Sequence, residues 1–164
     1  MTNREYFIQT WNSETAATLR LLSAVPDKNY TWRPDPKART GMELAGFVAM
    51  HAPILATLVE KGEVKGGPMD PPKSMGEAIG PFAAMIPQVE KALKGIDEKS
   101  WEQKTGHIYG PNGKPFMSAP IGVLAWSTLF DLIHHRGQLT TYIRPMGGKV
   151  PSVYGPSADD PGPM

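Results

Sequence analysis

The run DLIHHRGQLTTYIRP, Asp131 to Pro145, puts one carboxylate, two adjacent imidazoles and a guanidinium into a single helix-compatible stretch. Asp131 and His135 are four residues apart, so on a helix they share one face with Cβ atoms about 5–6 Å apart. That spacing suits two ligands on one metal ion, and it suits an Asp–His hydrogen bond equally well. Turning about 100° per residue from Asp131, the apolar residues Ile121, Leu124, Leu132, Leu139 and Tyr142 fall at roughly +20° to +100°. His135 falls at about +40°, inside that arc, and His134 at about −60°, among Ser127, Gln138 and Thr141. Of the two neighbours, His135 points inward and His134 aside. Asp131 lies on the boundary, and Arg136 reads as a surface or packing residue near the far edge of the stripe.

A third inward-facing group comes from an earlier segment. Around His51, the residues Leu44, Phe47, Val48, Ile54, Leu55 and Leu58 all lie within roughly 60° on a helical wheel. The imidazole therefore sits in the middle of an apolar stripe, where leaving it unpaired costs about 1–3 kcal/mol. Two histidines and one carboxylate on one side of an ion leave other positions open for water or substrate. His107 falls in a separate loop and reads as exposed; it is a candidate general base, but the sequence assigns no catalytic residue.

Composition excludes several other chemistries. The chain has 164 residues, net charge +1 and no cysteine. Disulfides, thiolate metal sites and a Cys nucleophile are ruled out, and a metal site must use His, Asp or Glu. The near-neutral charge implies no general attraction to nucleic acid or anionic lipid. No G-x-S-x-G nucleophile context and no Gly-rich phosphate loop occurs. The four tryptophans are scattered and read as packing residues, and the nine methionines suit core gap-filling. No segment approaches the roughly 20 apolar residues of a membrane span, and MTNREYFIQTW lacks a basic-then-apolar leader pattern. A cytoplasmic protein of bacterial type, with no membrane contact, is the expectation.

The elements that must position these residues are four amphipathic helices in one domain spanning 1–164. They are expected at about Asn3–Ala24, Gly41–Lys61, Ser74–Lys94 and Pro120–Arg144, separated by Pro- and Gly-rich connections. Three prolines in VPDKNYTWRPDPKARTG forbid helix between the first two. Pro53, two residues past His51, is expected to bend the second helix. GPNG in TGHIYGPNGKPFMSAP suggests a hairpin-like loop before the last helix. The tail from residue 146 is turn-rich and is expected to lie across the bundle before fraying. The fold class is all-α: a four-helix bundle, up-down-up-down.

The segment DLIHHRGQLTTYIRPMGGKVPSVYGPSAD resembles the C-terminal signature of the DinB-like (DinB/YfiT) metal-binding four-helix bundles. VPDKNYTWRPDPKARTGMELAGFVAMH resembles that family's first loop and second helix, and the likeness extends over nearly the whole chain. The resemblance implies a divalent metal ion (Zn, Ni, Mn or Fe) held by His51, Asp131 and His135, with His134 outside the ligand set. Asp131 departs from the histidine common at its position, and a carboxylate there favours harder metals. The resemblance also implies a homodimer and a small-molecule substrate. The function it implies is that of a thiol-dependent transferase or related enzyme using a low-molecular-weight thiol such as bacillithiol, mycothiol or glutathione. The alternative is a non-catalytic metal- or ligand-binding dimer acting as sensor or scaffold. A third reading has Asp131 and His135 hydrogen-bonded in a purely structural core. The family name gives no reason to expect DNA binding.

Overall fold

The computed structural model describes residues 1–66 and 72–162. Helix α1, Asn3–Ser23, begins at a capping box in which Thr2 and Glu5 satisfy each other's backbone amides. Thr40 and Glu43 repeat the device at α2, Gly41–Ala49. Met50 separates α2 from α3, His51–Lys61. The cause is Pro53: it lacks the N–H that would bond the Ala49 carbonyl, and its ring crowds that oxygen. The bend expected there therefore appears as an interruption immediately before His51. Gly62, with φ at 77°, closes α3 in the left-handed conformation.

The remaining elements are β1 (Glu63–Lys65), α4 (Met75–Gly95), α5 (Glu98–Gln103), β2 (Thr105–Tyr109), β3 (Pro115–Pro120) and α6 (Ile121–Ile143). Around the core, α1 packs on α6 and α4, and α2 and α3 pack on both α4 and α6. Expected helix limits differ from the observed ones by one residue at most positions. Fraying of the extreme C-terminus falls partly on 163–164, outside the described residues.

Two expectations need correction. The fold is mostly helical, but it is not a pure four-helix bundle, because it carries a short extra helix, α5, and a three-stranded sheet of order β1-β2-β3. The expected hairpin is real: β2 and β3 pair antiparallel, with His107 opposite Ser118. Beyond it, β1 pairs with β2 in parallel, Glu63 opposite His107. A three-residue strand is too short to show a period of two, and its partner lies some forty positions away, so no local pattern announces it. Second, Gly41–Lys61 is by length and composition apolar enough to cross a membrane. Here 56% of that apolar window is buried, with Leu44, Val48, Leu55 and Leu58 in the core.

Arg136 is also buried more deeply than its place at the edge of the stripe suggests, at 2% exposure. Its guanidinium forms an ion pair with Glu14 and donates to the Glu14 carbonyl and to Thr18 Oγ1 at 3.1 and 3.0 Å. It also donates to the Tyr154 hydroxyl at 2.6 Å, which in turn donates to Glu14 Oε2 at 2.9 Å. Tyr154 belongs to the tail, which does cross the helices. Asp159 anchors it by accepting from Val150 N and Arg144 Nε, and these contacts, the Val150 amide foremost, hold its carboxyl below the usual range.

Close packing fixes the other end of α6. A Cβ on Gly122 would sit 2.5 Å from Trp101 Nε1, so no larger residue fits without displacing the indole. Removing one partner of a buried ion pair strands the other charge. Arg136→Ala is expected to lower unfolding free energy by about 3–5 kcal/mol, and Tyr154→Phe by about 1 kcal/mol, both measured by urea denaturation. Near-equal effects of the two would contradict the arrangement.

Candidate metal centre

His51 opens α3 immediately after the Met50 break and is 2% exposed. Its Nδ1–H donates to the Phe47 and Val48 carbonyls at 3.0 and 3.1 Å. That bond leaves Nε2 as the nitrogen that looks across the core, and it lies 2.9 Å from Asp131 Oδ2 on α6. His135 repeats the scheme one turn further along α6. Its Nδ1–H donates to the Asp131 carbonyl at 2.9 Å and lies 3.3 Å from Asp131 Oδ1. One donor atom from each of His51, Asp131 and His135 lies within 4.8 Å of the others, so the cluster could hold a metal ion.

The hydrogen bonds bear on whether these residues fit an ion. An imidazole whose Nδ1–H is committed to a main-chain carbonyl offers the lone pair of Nε2, the arrangement usual for metal-ligating histidines. At His51 that lone pair faces a carboxylate oxygen at 2.9 Å, and two acceptors at this distance repel unless a proton or a cation lies between them. The donor set, two neutral imidazoles and one carboxylate, satisfies a divalent ion and leaves it one net positive charge.

The three residues differ in exposure as their helical positions require. The His51 side chain is 2% exposed, that of His135 14% and that of Asp131 48%. Asp131 therefore closes the site on the solvent side. Phe47, one turn before His51, packs edge-on against both imidazoles, with ring centroids 5.3 Å from His51 and 4.7 Å from His135. Half-buried, it also lines the mouth of the site.

Beside the cluster lies a cavity of about 440 Å³ bounded by Phe47, His51 and Asp131 on the helices and by Val64, Tyr109 and Met117 on the sheet. The sheet is thus the roof of the site. Its contribution is not read from the sequence; the alternation in HIYGPNGKPFM marks a hairpin but not the helix face it covers.

His134 is exposed, bonded to Gln138 Nε2 at 2.9 Å, and takes no part in the cluster. His107 sits half-buried on β2 rather than exposed in a loop. Its Nδ1 meets Ser118 Oγ at 2.9 Å, and it does not line the cavity.

The profile of the DinB superfamily matches residues 10–139, a span that includes all three clustered residues. The chain belongs to the DinB superfamily. Its fold is similar to that of a DinB-like protein from Bacillus cereus, at 23% identity and a TM-score of 0.70, covering 92% of this chain and 97% of that one. A DinB-like protein from Bacillus subtilis is similar at 15% identity and a TM-score of 0.63, covering 87% and 92%. No curated protein sequence matches. At these identities the solved structures speak for the DinB fold alone.

The geometry gives a spectroscopic expectation. In nitrogen-15 spectra, added Zn²⁺ should shift the Nε2 resonances of His51 and His135, leave both Nδ1 protonated and leave His134 unmoved. Coordination through Nδ1 would overturn the assignment of the two carbonyl-bound tautomers.

Proposed function

We propose that His51, Asp131 and His135 bind one divalent metal ion, and that the protein is a metal-dependent thiol transferase or a closely related enzyme. One observation carries the reading: two imidazoles pinned by main-chain carbonyls meet one carboxylate, with one ligand atom of each of the three residues within 4.8 Å of the others, at the mouth of an apolar cavity. When bound, the ion would lower the pKa of a coordinated thiol or water and so supply a nucleophile at neutral pH. The chain has no cysteine, so the sulfur comes from a small-molecule cosubstrate.

The protein's own residues set the conditions for that chemistry. Phe47 packs against both imidazoles and fixes their planes. The cavity under β2 and β3 accepts an apolar group on an electrophilic acceptor, which Tyr109 and Met117 flank. Asp131 holds the site's negative charge where it is half open to solvent, so an entering ligand need not cross the core. Carboxylate in place of a third imidazole favours metals such as Mn²⁺ and Fe²⁺ more than an all-histidine site does.

A second reading, a metal- or ligand-binding protein without turnover, draws support from the cavity itself. Among the described residues lining it, His51 and Asp131 are the only imidazole and carboxylate, and both are already assigned to the ion. Homodimerisation and a cytoplasmic location belong to both readings.

The ligand set is tested by metal analysis of untagged protein exposed to Zn, Ni, Mn and Fe(II). The wild type should retain about one ion per chain; His51→Ala and His135→Ala should lose it and His134→Ala keep it. Asp131→His should retain a site with a preference shifted to softer metals. Turnover is tested by assaying metal-loaded protein with several thiols and apolar electrophiles. Metal-dependent conjugation abolished in His51→Ala supports the enzyme, and stoichiometric metal without turnover across the panel favours the binder.

A further inference from the structure

A second cavity, of about 700 Å³, is lined by Lys37, Arg39, Leu44, Gln138, Thr141 and Tyr142. The Arg39 guanidinium carbon lies 4.3 Å from the centroid of the Phe47 ring, and the His135 ring lies 4.7 Å from the same centroid. One aromatic side chain therefore touches both a cation and a candidate ligand of the metal centre. Gln138 follows His135 by three residues on α6, and its side-chain amide meets His134 Nε2 at 2.9 Å.

Neither cation is neutralised nearby. Among the described residues, no ion pair involves Lys37 or Arg39. The acidic neighbours are occupied elsewhere. Asp35 accepts the Lys37 backbone amide at 2.8 Å. Glu43 caps α2 through Thr40 N and Oγ1 at 2.7 and 2.9 Å. Those Thr40 contacts, with smaller contributions from Arg33 and Arg39, hold the Glu43 carboxyl below its usual range. From Arg33 to Glu43 the segment carries three cations against two carboxylates.

Stacking on Phe47 occupies the face of the guanidinium and leaves its N–H edge available. That edge is a planar fork suited to two parallel hydrogen bonds with a carboxylate, and Lys37 adds a second positive charge beside it.

We propose that Lys37 and Arg39 form a carboxylate-binding subsite for a small molecule whose other end reaches the metal centre past Phe47. The reach to the metal rests on the proposed function; the grip on the carboxylate does not need the ion. The active site would then be two-sided, with an anionic cosubstrate entering over α2 and an apolar acceptor entering under the sheet.

Three probes separate these elements: glutathione, S-methylglutathione, which keeps the carboxylates but has no free thiol, and glutathione diethyl ester, which keeps the thiol but has no carboxylate. In the full chain prepared without metal, S-methylglutathione should shift the Arg39 Nε–H and Gln138 side-chain amide resonances saturably. The diethyl ester should not. Lys37→Gln/Arg39→Gln should weaken that binding by about tenfold or more, and Arg39→Lys, which keeps charge without the planar fork, should bind between the two.

In Co(II)-loaded protein, glutathione should give thiolate-to-cobalt absorption at lower concentration than its ester, and the double variant should erase the difference. Absence of saturable S-methylglutathione shifts, or equal binding by the double variant, overturns the subsite. Saturable shifts without any thiolate-to-cobalt absorption uphold the subsite and overturn the thiol reading instead.

Discussion

Within six residues of α6 the chain carries a carboxylate, an imidazole and a guanidinium, and the helix must find partners for each against an otherwise apolar core. Adjacent residues on a helix diverge by about 100°, so His135 and Arg136 cannot be answered from the same direction. The structure uses two. Arg136 turns to Glu14 and Thr18 on α1, under Tyr154 of the tail. Asp131 and His135 turn to His51 on α3. Rotating α6 by one residue would strand a buried charge on one side and an imidazole on the other. Polar burial, more than apolar packing, therefore fixes how α6 is phased between its neighbours.

That phasing prepares the site. Because the Arg136 network settles one flank without involving the clustered residues, Asp131 and His135 are left to face α2 and α3. The Met50 break, caused by Pro53, falls immediately before His51, whose ring is held by the carbonyls of Phe47 and Val48. Phe47 joins the two halves of the region, meeting both imidazoles in T-shaped contacts and Arg39 over its ring.

The small sheet has a role disproportionate to its size. Three short strands close the apolar cavity above His51 and Asp131, and β1 is held by its parallel pairing with β2 and its packing on α3. The ends of α3 and α6 are thereby tied together at the level of the site, which makes the roof part of the fold rather than a loose loop. The all-helical reading of the sequence misses this, since its strands are too short for periodicity and pair across a long separation.

Sequence alone determined the positions of the long helices, from capping residues, prolines and apolar stripes. It also determined which of two adjacent histidines faces inward, because a rotation of about 100° per residue is a local property of any helix. It placed His51 in a core that must satisfy it. It did not reveal that Arg136 is buried, since its partners Glu14 and Tyr154 lie 122 and 18 positions away and no local pattern brings them together. Nor did it show which ring nitrogens are free or which residues roof the cavity. Those features depend on pairing between distant segments, and only the tertiary structure decided that His51, Asp131 and His135 meet within reach of a single ion.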